Sequence, residues 1–169
     1  MKWLKAALIG AIGSLVMFAF LFVGIHVTGV APFNIPPSAA FLQMLGLNIG
    51  PLPLLAHFGY GATWSALLVA LYGSSVTTQR GIGLALALWG FMMLVYSPLI
   101  GWGVFGFGGA NHGLDPSHPL YLGSGMKYLV ATLVLHLIYG GIIGWGNAAW
   151  TVAEDTETAR GSVQQVMSN

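Results

Sequence analysis

From Lys5 to Arg80 the chain holds no Asp, Glu, Lys or Arg, and between Arg80 and Asp115 it again holds none. Soluble domains draw about a quarter of their residues from these four types, so no water-facing surface can be built from such stretches. Lipid is the solvent they suit. The whole chain agrees, because a charged fraction of 5% and a mean hydropathy of +0.80 are the balance of a chain that spans a bilayer.

A helix crosses the roughly 30 Å hydrocarbon core with about 20 apolar residues, each rising about 1.5 Å. The windows 3–28, 52–72, 81–103 and 128–150 meet that requirement. The expected fold is all-α, a polytopic transmembrane four-helix bundle within 1–150. Two loops, 29–51 and 104–127, lie on one side, and a polar tail at 151–169 is expected to fray beyond its first helical turns. Lys2, Lys5, Arg80 and Arg160 fall on one side of this layout and Lys127 on the other, so both termini are expected in the cytoplasm. The apolar run after Lys5 is longer than a signal-peptide core and no Ala-x-Ala site follows it, which reads as a retained span.

The first loop carries Pro32, Pro36, Pro37 and Pro51. Within it, Ser38 precedes apolar residues at helical spacing, which predicts a short interfacial helix capped by that serine. Pro98 interrupts the third span and is expected to kink it, since proline has no N–H to give. Trp3, Trp102, Trp145, Trp150, Tyr121 and Tyr128 fall near the expected span ends and read as interface anchors.

A short motif occurs twice. Leu54 to Gly61 and Leu133 to Gly140 both read L-x-x-H-x-x-Y-G, which suggests a tandem duplication of a two-helix hairpin. Each unit has two spans, so both copies keep one orientation and are related by an axis along the membrane normal. His57 and His136 should then lie at one depth. His and Tyr three residues apart share a helix face, which gathers His57, Tyr60, His136 and Tyr139 into one expected constellation.

These features resemble a group of uncharacterised four-span prokaryotic inner-membrane proteins of the YagU-like kind. The matching features are the Gly/Ala-rich first span, the Pro-rich loop, the His near the outer end of span two, Ser-Pro-Leu-Ile-Gly at 97–101 and His-x-x-Tyr at 136–139. The resemblance implies a multi-pass protein of the inner membrane and supplies no mechanism.

Composition removes several functions. A net charge of +1 without a basic run leaves no footprint for nucleic acid. The absence of cysteine excludes disulfides, thiolate zinc sites, Cys-ligated iron–sulfur clusters and covalent c-type haem. The spans hold no ionisable relay of the kind coupled pumps use, and no catalytic triad, phosphate loop or carboxylate pair is visible. The expected catalytic set is therefore empty.

Three functional readings follow. The first is a structural or accessory protein that meets the lipid bilayer, other membrane subunits or a second copy of itself through Gly-rich helix faces. The second is a b-type haem electron-transfer protein with His57 and His136 as axial ligands and Tyr60 and Tyr139 beside them, because two neutral imidazoles can hold haem iron without a thiolate. The third is binding or permeation of a small uncharged or lipidic molecule. Separately, His112, Asp115 and His118 of the second loop, with His26, form a nitrogen–oxygen donor set for copper or zinc.

Overall fold

The computed structural model describes residues 2–47, 49–109 and 113–168, with the backbone alone described over most of 151–168. Helix α1 is Lys2–Phe22 and runs on through a π-helical turn at Val23–Val27. The short α2 is Pro37–Met44, and α3 is Leu52–Tyr72. Helix α4 is Thr78–Phe91, followed by a second π turn at Met92–Tyr96 and by α5 at Ser97–Leu99. The last helix, α6, is Gly125–Ser168. Four stretches, Lys2–Val27, Leu52–Ser75, Thr78–Leu99 and Gly125–Trp150, are long and apolar enough to cross a membrane.

The ends of these helices have local causes. The bounds of α3 coincide with the expected 52–72 window, because Pro51 precedes it and Gly73 leaves it at a positive φ of 53°. Helix α4 begins before the expected residue 81, since the Thr77 side chain accepts from the Arg80 backbone N–H and caps the first turn. Ser38 caps nothing. The N-cap of α2 is Pro36, and Pro37 supplies the preset φ of a first helical residue. The backbone of α6 is helical to Ser168, through a stretch that contains no proline.

Helix α1 packs on α3, α4 packs on α6, and α1 against α6 joins the two hairpins, while α3 and α4 barely touch. The order across the bundle is therefore α3, α1, α6, α4. Both hairpins close through glycine. A Cβ at Gly10 would run into the Gly61 carbonyl oxygen, and one at Gly81 would run into that of Gly140. Gly61 and Gly140 are the last residues of the repeated motif, so the same position makes the close approach twice. In lipid such contact is the main adhesive between helices.

Beyond the spans the two long loops meet. Phe33 forms a bridge with Leu122, and the Gly123 N–H donates to the Pro32 carbonyl at 2.7 Å. Trp102 stacks on Phe33 with centroids 5.8 Å apart, meets Tyr128 edge-on at 5.0 Å and donates its indole N–H to the Leu120 carbonyl. Trp102 and Tyr128 are thus wholly buried and are not interface anchors. Trp3 and Trp145 do lie exposed. At the opposite end, Asn147 donates to Ser65 Oγ at 3.0 Å and to the Ile143 carbonyl at 2.7 Å, which ties α6 to α3 in the core.

Candidate functional site, a cavity between the spans

A cavity of about 420 Å³ lies among all four spans. Ser14, Met17 and Leu21 face it from α1, and Ala56, His57, Tyr60 and Gly61 from α3. Leu88, Phe91, Met92 and Tyr96 come from α4 and its π turn, and Thr132, Leu135, His136 and Tyr139 from α6. Pro37, Ser38, Phe41 and Leu42 of α2 complete the lining. The whole expected constellation of His57, Tyr60, His136 and Tyr139 therefore borders a single space.

Helix lengths explain why the space exists. His57 stands about one and a half turns from the start of α3, whereas His136 stands about three turns from the start of α6. Helix α3 stops short, and α2 lies against it and covers the gap. The first helix of each hairpin also carries a π turn near the loops, and such turns recur at functional sites because they push side chains out of helical register. Pro98 lies two residues beyond the second π turn, after Ser97. Met92 and Tyr96 within that turn face the cavity, so the expected break in this span lies where the cavity is lined.

The polar groups of the lining share one habit. His57 Nε2 lies 3.0 Å from the Ser14 carbonyl and His136 Nδ1 lies 2.7 Å from the Thr132 carbonyl. A carbonyl oxygen has only lone pairs, so the ring nitrogen must be the donor, which fixes Nε2–H on His57 and Nδ1–H on His136. No Asp or Glu occurs in the spans to pair with an imidazolium, and one proton on each ring is all that these two bonds require. Tyr139 donates to the Gly61 carbonyl at 2.6 Å, Tyr96 to the Pro37 carbonyl at 2.6 Å, and Thr132 to the Tyr128 carbonyl at 2.7 Å. These bonds answer the requirement that buried donors find partners, and they use the backbone to do so.

Tyr60 behaves differently. It is 49% exposed and meets Trp64 edge-on at 5.8 Å, whereas Tyr139, its counterpart in the repeat, is 3% exposed. Ala56 and Tyr60 on α3 and Phe91 on α4 line the cavity and are also exposed, on the side where these helices barely touch. The mouth of the cavity is therefore lateral, between two spans.

The chain matches no known family, no curated protein and no solved structure. What the cavity can bind then follows from its own chemistry.

The second donor set is not gathered in the same way. His26 sits in the π turn of α1 with its ring 5.0 Å from that of Phe22. Asp115 Oδ1 accepts from the Ser117 hydroxyl at 2.5 Å and from its N–H at 2.8 Å, and these bonds hold the carboxyl below the usual carboxylate range. His118 Nδ1 accepts from the Leu120 N–H at 3.1 Å. His112 lies outside the described residues. Among the described residues no three His, Asp or Glu side chains are close enough to hold a metal ion.

Three cavity groups escaped the sequence reading. Thr132 was available from spacing, since it stands four residues before His136 on the same face. Ser14 and Tyr96 are polar residues in apolar spans, a signal that gives existence without direction.

Proposed function

We propose that the protein binds an uncharged, lipid-soluble small molecule in this cavity and takes it sideways from the bilayer. The observation that carries this reading is a cavity of about 420 Å³ that four spans line without a charge and that opens between α3 and α4. That volume falls in the range of about 300–1,000 Å³ typical of small-molecule sites. The lining is largely apolar, with a few fixed polar groups, which is the composition that holds a hydrophobic ligand and orients it. A charged ligand would lose its hydration against a wall that offers no counter-charge.

Filling the cavity tests this. Met92→Trp places a larger side chain in the lining, away from the glycine contacts that hold the hairpins. Binding of a lipid-soluble probe to the protein in bilayer nanodiscs should fall at least about tenfold while helical content is kept. Equal binding by the filled variant would contradict the reading and return weight to the accessory role, in which His57 and Tyr139 serve only to tie helices together.

The haem alternative keeps one supporting observation. His136 gives Nδ1–H to a backbone carbonyl and leaves Nε2 available, as metal-binding histidines commonly do. His57 has the opposite arrangement, with Nε2 committed to the Ser14 carbonyl, so axial ligation through that nitrogen requires the bond to break. A reduced-minus-oxidised spectrum of protein from a haem-supplemented host separates the two. Sharp bands lost in His136→Ala would favour haem, and a blank spectrum would favour the lipidic ligand.

A further inference from the structure

The ligand class can be narrowed from the direction of the protons, granted the reading of the cavity as a lipidic site. His57, His136, Tyr96 and Tyr139 each spend their one proton on a main-chain carbonyl. What remains on them is lone pairs, at His57 Nδ1, at His136 Nε2 and on the two phenol oxygens. Ser14, Ser38 and Tyr60 keep hydroxyls that can rotate to give or accept, and Tyr60 stands at the mouth. Apart from Ser14, the deeper polar groups are therefore acceptors. His136, at 9% exposed, is the most buried of the titratable pair and the one held within its own helix.

We infer that the natural ligand is a single-chain lipidic alcohol, whose hydroxyl donates to a histidine nitrogen while its hydrocarbon lies against the apolar wall and the lateral mouth. A ketone, ester or ether would bring lone pairs to the lone pairs of the histidines and phenols and would find only the Ser14 hydroxyl to donate at depth. A carboxylate would do the same and carry a charge as well. A hydroxyl matches both kinds of group, because its proton can go to a histidine nitrogen while its oxygen can accept from the buried Ser14 hydroxyl. The volume suits one chain, and the lateral mouth lets the remainder of a longer chain stay among the bilayer lipids.

The test compares three probes that differ only at the head: dodecan-1-ol, its methyl ether 1-methoxydodecane, and dodecanoate. Each is radiolabelled and its equilibrium binding to the full chain is measured in lipid nanodiscs, with empty nanodiscs as the blank. The alcohol should bind roughly tenfold more tightly than the ether, the size of one well-made hydrogen bond to a buried acceptor, and dodecanoate should bind more weakly still. In His136→Phe the preference for alcohol over ether should shrink towards none, while binding of the ether persists. If the ether binds the unmodified protein as tightly as the alcohol, the inference about the head group fails and the lipidic site stands. If no probe binds above empty nanodiscs, the site itself is refuted. The comparison among probes needs no variant, so a folding defect in His136→Phe cannot decide it.

Discussion

The two hairpins place the same motif on the same glycine contact and then use it in different ways. In the first, His57 reaches out of its own helix to the Ser14 carbonyl of α1, and Tyr60 is left half exposed beside Trp64. In the second, His136 turns back to the Thr132 carbonyl of its own helix, and Tyr139 reaches out to the Gly61 carbonyl of the other hairpin. Tyr139 closes the seam where the hairpins meet, and Tyr60, its counterpart, stands at the seam left open. A repeated sequence has thus made one sealed side and one open side, and the cavity is the space between them.

The largest effects should come where the hairpins agree. Gly10→Val and Gly81→Val each drive a side chain into a backbone carbonyl, of Gly61 and Gly140 respectively, and overpacking of this kind costs about 1–3 kcal/mol or more. Unfolding titrations in mixed micelles should show both variants strongly destabilised. Gly59→Ala and Gly83→Ala meet open space and should stay close to the parent protein. A mild Gly81→Val beside a severe Gly10→Val would show that the two contacts are not equivalent.

A middle-sized effect should separate the tyrosines. Tyr139→Phe removes the donor from the Gly61 carbonyl in a buried setting and should cost about 1–3 kcal/mol. Tyr60→Phe should stay within about 0.5 kcal/mol, as exposed substitutions usually do. Equal losses would erase the distinction between a sealed and an open side.

The smallest effect concerns the histidines. His57→Phe breaks a bond between helices and should cost about 1 kcal/mol, and His136→Phe breaks only a bond within α6 and should cost less. Thermal unfolding followed by far-ultraviolet circular dichroism would order the pair, and the reverse order would contradict the assignment of the two bonds.

The sequence made the helices and the repeat visible for plain physical reasons. Long uncharged runs show themselves without any knowledge of neighbours, and the L-x-x-H-x-x-Y-G motif placed His57, Tyr60, His136 and Tyr139 on corresponding faces. The opening between α3 and α4 was hidden, because spans that are apolar all round carry no polar face to mark what is buried. Trp102 and Tyr128 were misread for a related reason. An aromatic residue near a span end has the same composition signal whether it meets head groups or, as here, Phe33 of a folded loop. Proline misled by position, since Pro37 started α2 where Ser38 was expected to cap it. The donor set of His112, Asp115 and His118 with His26 depended on loop geometry that spacing does not fix, and His26 lies in the π turn of α1 rather than in that loop.

The most direct test is to let a lipid-soluble diazirine probe partition into bilayers that hold the protein, activate it, and map the modified residues by mass spectrometry. The expected result is modification concentrated at Tyr60, Phe91, Met92 and Tyr96, and reduced there by Met92→Trp. Labelling spread evenly over exposed apolar positions such as Leu8, Leu71 and Trp145, and unchanged in that variant, would contradict a lipid-binding cavity open to the bilayer.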